Sequence, residues 1–214
     1  IERGQTTATI RANVADDAGQ TTTYEASIHA RGANRARINS GSSLYLRDII
    51  GKIPSVSFTP EDQRLVSGDP GARRTMMNQA AALLEPGYMQ TLQQFTRIAK
   101  QRATLLKQLN ANVNNGQPMD AVLSGLEIWT GQFIEAGVAL TRMRAHVISL
   151  LAEPFAAIYA DLAGAGEQVT LTYAPSFDEV LMFDDPHPQI SEHFQRIYPG
   201  EVARGVNLIG PQRD

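Results

Sequence analysis

The sequence contains no cysteine. That absence removes disulfide scaffolds, thiolate zinc sites, iron–sulfur clusters and cysteine nucleophiles together. Aromatic residues are few, at 7%, and charged residues make up only 19%. A formal net charge of -3 gives no bulk attraction to nucleic acid, so any such contact must come from a local patch. The four histidines, His29, His146, His187 and His193, are too dispersed for a histidine metal cluster. No uninterrupted run approaches the roughly 18 apolar residues of a membrane-spanning helix, so no membrane contact is expected. There is no Gly-rich phosphate loop, nucleophile elbow or His-Glu-x-x-His. Ile1–Gln5 has neither the charge nor the apolar run of a signal peptide. What is present is 43% hydrophobic content over 214 residues, enough for one sizeable core or two modest ones.

Residues 6–14 alternate, with Ala8, Ile10, Ala12 and Val14 on one face and Thr7, Thr9, Arg11 and Asn13 on the other. Turn chemistry at 16–20 separates them from a second alternation at Tyr24, Ala26, Ile28 and Ala30, and a third strand is expected at 35–39. Together these predict an antiparallel meander with one buried face. A break at 51–54 precedes a further predicted strand at 55–58.

The period then changes. Thr59-Pro60-Glu61-Asp62 reads as N-cap, proline at the first helical position and acids in the first turn. Gly68 ends that short helix, and Asp69-Pro70 opens the next with the same device. After Pro86-Gly87 a long helix is expected over 88–112, its apolar stripe formed by Tyr88, Leu92, Phe95, Ala99, Ala103, Leu106 and Leu109. A polar loop at 114–118 leads to Asp120, which caps a second long helix carrying Leu123, Leu126, Trp129, Phe133, Gly137, Leu140, Val147 and Leu151. Pro154 is expected to kink or split it. Two such helices joined by a short loop predict an antiparallel hairpin. Beyond Gly164–Gly166, strands are expected at 169–173 and 206–209 with a helix at 188–203 between them. The predicted order is sheet, helical insertion, sheet. A chain that begins and ends inside sheet patterns is expected to be part of something longer.

The charges are unevenly placed. Between Glu85 and Asp120 there is no acid, while Arg97, Lys100, Arg102 and Lys107 all fall there. Arg97, Lys100 and Lys107 share a narrow arc opposite the apolar stripe, either an ordinary solvated face or a phosphate-contacting ridge. Arg102 sits at the edge of the stripe. Arg144 follows Leu140 by four and precedes Val147 by three, so it also points inward. An inward arginine needs an acid or carbonyl to offset its desolvation, which assigns both a structural role in clamping the hairpin. Arg73 and Arg74 lie in the first turn of the helix opened by Pro70, where cations oppose the helix dipole. Either an anion such as a phosphate sits there too, or they pair with Asp69, Glu61 or Asp62. Glu61 and Asp62 either cap a helix or help hold a cation. His187, beside Asp184 and Asp185, resembles a metal site only superficially, and no metal is expected.

Read as a string, Phe58-Thr59-Pro60-Glu61-Asp62-Gln63-Arg64-Leu65-Val66-Ser67-Gly68-Asp69-Pro70-Gly71-Ala72-Arg73-Arg74 resembles the signature F-x-P-E-D-L-x-L-V-x-G-x-P-x-x-R-R-x-F-L-D of the RecF family. The similarity continues in order. Pro86-Gly87-Tyr88 is similar to P-x-Y, and Lys100-Gln101-Arg102 with Leu105-Leu106-Lys107 to Q-R-N-x-L-L-K. Trp129, Gly137 and Arg144 fall at matching spacings, Tyr173-Ala174-Pro175-Ser176 is similar to Y-x-P-S, and Arg204-Gly205 with 210–214 to R-G…G-P-H-R-D. The departures are Gln63 for leucine, Met76-Met77-Asn78 for F-L-D, Ala103 for asparagine, Thr130 for aspartate and Gln212 for histidine. Asn78 and Thr130 each remove a carboxylate, which puts in doubt any pairing those acids make with arginines.

The resemblance implies a mixed α/β fold. Antiparallel strands of an ABC-type ATPase head (1–66) would give way to a helical lid or arm (67–165) and return to the head (166–214). It implies a cytoplasmic, nucleoid-associated DNA replication and repair protein that dimerises around ATP and Mg²⁺. Such a protein binds gapped, duplex and single-stranded DNA and cooperates with RecR and RecO in delivering RecA. Its P-loop would lie upstream of residue 1, and its ABC signature and acidic motif downstream of residue 214. The segment itself is then expected to be inactive as an ATPase. It would contribute Glu61 and Asp62 as Q-loop-like residues, Arg73, Arg74, Arg97, Lys100 and Lys107 as DNA contacts, and Arg102 and Arg144 as structure. Two rival readings are a non-catalytic helical interaction module and the head of another ABC-type ATPase, such as an SMC-like one.

Overall fold

The computed structural model describes residues 1–53, 56–116, 118, 120–164 and 166–214, and the chain divides into two compact units, Ile1–Pro60 and Glu61–Asp214.

The first unit is a four-stranded antiparallel meander in the order β1 (Thr7–Ala15), β2 (Thr21–His29), β3 (Arg35–Ile38) and β4 (Leu44–Tyr45). Its register is set by turn side chains. Asp16 Oδ1 accepts from the Gln20 amide at 2.8 Å and closes the first hairpin. Asn34 Oδ1 accepts from the His29 amide at 2.9 Å, and Asn39 Oδ1 from the Thr23 amide at 2.8 Å. These bonds align Thr7 with His29 and Val14 with Thr22, which puts Ala8, Ile10, Ala12 and Val14 on one face. That face is not buried as the alternation predicted. Ile10 is 63% exposed, and among the described residues of this unit only Ala36 is buried. The unit is a single layer, and a sheet face is covered only when a second layer packs on it. No strand forms at 56–58 either, where Val56 and Phe58 are over 90% exposed; the remaining residue of that expected strand, Ser55, lies outside the described residues.

The second unit is helical. A 3₁₀ turn (Pro60–Gln63) runs into α1 (Arg64–Ser67), followed by α2 (Pro70–Leu84), α3 (Tyr88–Asn115), α4 (Asp120–Ala163), α5 (Glu179–Met182) and α6 (His187–Arg204). Asp69 caps α2 by accepting from the amides of Gly71 and Ala72, at 2.6 and 3.3 Å. α3 and α4 form the antiparallel hairpin, closed by Phe95 on Phe133 with ring centroids 5.0 Å apart. Phe177 and Phe194 of the following segments add edge-on contacts to Phe133 at 6.1 and 5.9 Å. Phe177 reaches that depth because position 137 has no side chain: a Cβ on Gly137 would lie 2.5 Å from Phe177 Cε2.

Two expectations need correction here, the splitting of the long helix at Pro154 and the strands at 169–173 and 206–209. Pro154 lies inside α4 without ending it. α4 also contains an 18-residue stretch of mean hydropathy 1.2, long and apolar enough by length and composition to cross a membrane, with 11% of it buried in the protein. One such helix does not identify a membrane protein, since length and composition alone are weak evidence. Finally, 169–173 and 206–209 are not strands. Alternation favours extended backbone, but a strand also needs a neighbour to satisfy its amides. In this unit those segments are instead tied down by side-chain hydrogen bonds, of the half-buried Tyr173 to Asp214 and of Arg102 to the buried Asn207.

Candidate nucleic-acid interface and its buried supports

Arg102 enters the core between α3, α4 and α6 and is 1% exposed. Its Nε donates to Thr130 Oγ1 at 2.9 Å. Its terminal nitrogens donate to the two oxygens of Glu201, at 3.0 and 2.6 Å, and to Asn207 Oδ1 at 2.7 Å. The guanidinium carbon lies 4.7 Å from the Phe194 ring centroid and 5.3 Å from that of Phe133. Glu201, itself fully buried, also accepts from the Leu208 amide at 3.0 Å, while Asn207 donates to the Ala99 carbonyl at 2.9 Å. One fork-shaped cation thus fastens two hairpin helices to α6 and to the 206–208 segment.

Arg144 makes a second buried node nearer the other end of the hairpin. It donates to Tyr88 Oη at 3.0 Å, Asn78 Oδ1 at 3.0 Å, the Pro211 carbonyl at 2.7 Å and Asp214 Oδ2 at 2.7 Å. The Tyr173 hydroxyl donates to the same Asp214 oxygen, and the Ser176 amide donates to Asp214 Oδ1 at 2.8 Å. Burial pushes the Tyr88 and Tyr173 hydroxyls above their ordinary range, and the Asp214 carboxylate raises Tyr173 further. Burial by itself would lower the Arg144 guanidinium. Tyr88 first, then Tyr173 and Asp214, outweigh it and leave it raised and charged.

Asn78 and Thr130, the positions where the resemblance expects carboxylates, still meet Arg144 and Arg102. Each supplies a neutral oxygen, so among the described residues each arginine keeps a single carboxylate partner, Asp214 for Arg144 and Glu201 for Arg102.

Arg97, Lys100 and Lys107 are all exposed along α3. At 3.6 residues per turn they fall within an arc of about 80° and a length of about 15 Å. No acid shares their helix. The α2 N-terminus is arranged differently. Its amides are taken by Asp69, and Arg73 turns back to donate to the Leu65 and Gly68 carbonyls at 3.3 and 3.2 Å, while Arg74 donates to the main-chain oxygen of Asp214. Glu61 is exposed and Asp62 half-buried in the 3₁₀ turn. The two ring nitrogens of His187 lie 2.7 Å from Asp185 Oδ1 and 2.9 Å from Glu135 Oε2, and the hydrogen bonds from His187 hold the Asp185 carboxyl below the usual carboxylate range. No group of three or more such residues among those described could hold a metal ion.

Sequence reasoning missed the acidic half of both nodes. Glu201 was detectable, since with Ile190, Phe194 and Ile197 it continues the inward stripe of α6 at spacings of four, three and four. Asn207 lies in a short alternating segment and Asp214 in the chain that follows it, and neither position marks its side chain as the partner of a buried arginine.

No family model matches the chain. It is 99% identical over all 214 residues to the DNA replication and repair protein RecF of Bifidobacterium longum subsp. infantis, and covers 52% of that relative. It is 65% identical to the RecF of Bifidobacterium adolescentis, covering 53% of it, and 35% identical to that of Streptomyces avermitilis, covering 57%. The chain therefore spans about half the length of the curated relatives it matches. Two solved structures, described as the recombination mediator protein RecF with ATPrS and with ATP in the RecFOR pathway, superpose on the whole chain. Their TM-scores are 0.82 and 0.79 at 19% and 16% identity, and the chain covers 56% and 55% of them. The fold is that of these RecF structures, mixed α/β with an antiparallel sheet and a helical hairpin, and over its whole length the chain belongs to the RecF family.

Proposed function

We propose that the chain is the central portion of an ATP-dependent DNA replication and repair protein. Residues 1–66 and 166–214 would belong to its ATPase head and residues 67–165 to its helical arm. The observation that carries this reading is near-identity to a RecF along every residue, the region of its motifs included. In this reading the parent protein acts in the RecFOR pathway with RecO and RecR, binds gapped, duplex or single-stranded DNA, and favours delivery of RecA and SOS induction. It dimerises around ATP and Mg²⁺ and works in the cytoplasm at the nucleoid. Neither motif candidate is a free triphosphate cradle: the amides at the α2 N-terminus are already capped by Asp69, and Glu61 and Asp62 stand in a short turn. No hydrolytic step is therefore assigned to residues of this chain.

What the chain contributes is scaffold and charge. Arg102 and Arg144 set the rigid spacing of the hairpin, and Arg97, Lys100 and Lys107 line the outside of α3, where phosphates release their counterions on contact. Arg73 and Arg74 are secondary contacts at best, being occupied by carbonyl oxygens. The test is binding of the 214-residue chain to gapped duplex DNA across a salt series, with the charge-reversed variant Arg97→Glu/Lys100→Glu/Lys107→Glu alongside. Loss of affinity in the variant is expected. Wild-type affinity in the variant would remove α3 as the interface and favour the protein-interaction reading of the hairpin.

A further inference from the structure

The face of the meander opposite Ile10 is polar throughout. The register places Arg11, Glu25 and Arg37 in one row and Thr9, Ser27, Arg35 and Tyr45 in the next. Thr7 with His29 and Thr23 with Asn13 complete it through side-chain hydrogen bonds of 3.2 and 2.8 Å. Counting Arg47 from the turn after β4, four arginines stand against two carboxylates. Glu25 is neutralised by Arg11 at 2.6 Å, and Asp48 lies 3.8 Å from its neighbour Arg47. Arg37 is exposed and, like Arg35, has no carboxylate partner among the described residues.

Tyr45 organises this charge. The guanidinium carbons of Arg35 and Arg47 lie 4.3 and 4.4 Å from the centroid of its ring. Cation–π contact holds both side chains in place, but two like charges on one ring repel each other, and no carboxylate bridges them. An approaching anion relieves that repulsion and meets forks already ordered, so less side-chain freedom is lost on binding. Arg35 and Arg37 are two residues apart on β3, about 6.6–6.8 Å, which spreads the cations along a line and not into one pocket. A line of ordered guanidiniums on an open sheet matches a polyanion better than a single phosphate.

We infer that this sheet face, through Arg35, Arg37 and Arg47 arranged around Tyr45, is a second contact surface for the sugar–phosphate backbone of duplex DNA. The inference rests on the DNA-binding reading above and adds a surface to it. Duplex is favoured over single strands because the aromatic ring of this face is already stacked with guanidiniums, which leaves no free platform for an unpaired base. The contact is independent of base sequence.

The experiment is fluorescence anisotropy of the 214-residue chain on a labelled duplex, with log affinity followed against log salt. Neutralising Arg35→Gln/Arg37→Gln/Arg47→Gln should flatten the slope by about 2.7, at about 0.9 for each phosphate that the protein no longer neutralises. The exposed single change Arg37→Gln, which removes no intramolecular bond, should flatten it by about 0.9 and covers the case where the triple variant unfolds. Tyr45→Phe should bind as wild type and Tyr45→Ala more weakly. A wild-type slope in both arginine variants overturns the inference. If the α3 charge-reversal variant then still loses affinity, the DNA-binding reading stands without the sheet; if it does not, that reading falls too. An acidic peptide that displaces duplex at equal charge concentration would also overturn the inference.

Discussion

Glu201→Gln isolates what the buried arginine of the hairpin needs. The two residues are nearly the same size, so the substitution opens no cavity and changes only charge and one hydrogen-bonding atom. Glu201 accepts three bonds, two from Arg102 at 3.0 and 2.6 Å and one from the Leu208 amide at 3.0 Å. If the glutamine oxygen keeps the Leu208 amide and one Arg102 nitrogen, the glutamine NH₂ must face the other Arg102 nitrogen, donor against donor. The acceptors that remain, Thr130 Oγ1 and Asn207 Oδ1, are neutral. A guanidinium is then buried with no counter-charge. Removing one partner of a buried pair costs about 3–5 kcal/mol, a large share of the roughly 5–15 kcal/mol that holds a domain folded.

Urea unfolding followed by circular dichroism reads this directly, as a lower midpoint with an unchanged slope. A loss below about 1 kcal/mol would refute the reasoning, because a group so poorly solvated has no other source of compensation. The double variant Arg102→Met/Glu201→Leu separates charge from packing. Methionine fills the same space under Phe133 and Phe194, and replacing both ions with apolar groups is close to neutral in comparable cases. Recovery in the double variant assigns the loss to the unpaired cation. Equal damage in both would assign it to packing or to the Leu208 amide and the Asn207 oxygen left without partners, not to the unpaired cation.

Gly137→Ala should destabilise by about 1–3 kcal/mol in the same assay, because its Cβ would stand 2.5 Å from Phe177 and the ring is fixed by Phe133 and Phe194; an unchanged midpoint would mean that Phe177 is loosely held. Alkaline pH tests the Arg144 node. Tyr88 and Tyr173 are raised above 10 in the folded protein, so above about pH 10 the unfolded chain loses protons that the folded chain keeps. Stability should therefore be flat with pH below that point as far as these groups are concerned. It should then fall by up to about 1.4 kcal/mol per pH unit for each tyrosine as pH rises through 10, with a shallower fall in Tyr173→Phe. Stability that stays level above pH 10 would contradict the placement of both hydroxyls.

What the sequence made legible, and what it left dark, divides along physical lines. The helices were readable because capping and periodicity are local: Asp69-Pro70 opens α2, and Tyr88, Phe95, Leu106 and Leu109 are buried on α3 as their spacing requires. The same wheel placed Arg102 and Arg144 inside, and both are buried. Strands are another matter, because an extended segment becomes a strand only if another segment offers its edge. Residues 7–38 supply their own neighbours through tight turns and pair as read. Val169–Tyr173 and Val206–Ile209 alternate just as well, yet they are held by side-chain contacts and not by a paired strand, Tyr173 on Asp214 in one, Asn207 on Arg102 and the Leu208 amide on Glu201 in the other. Nothing in a period of two distinguishes these outcomes. The electrostatics were half legible for the same reason. A cation on an apolar stripe announces that it needs a partner, but only a partner on a helix, such as Glu201, carries a positional signal of its own. Arg35, Arg37 and Arg47 fall outside even that logic. No single residue in 35–47 is unusual, and the cluster exists only once β3 pairs with β4 and Tyr45 is brought between the arginines that precede and follow it. A net charge of -3 therefore says little about nucleic-acid contact in this chain, because its cations are gathered by pairing and by helical phase, not by runs in the sequence.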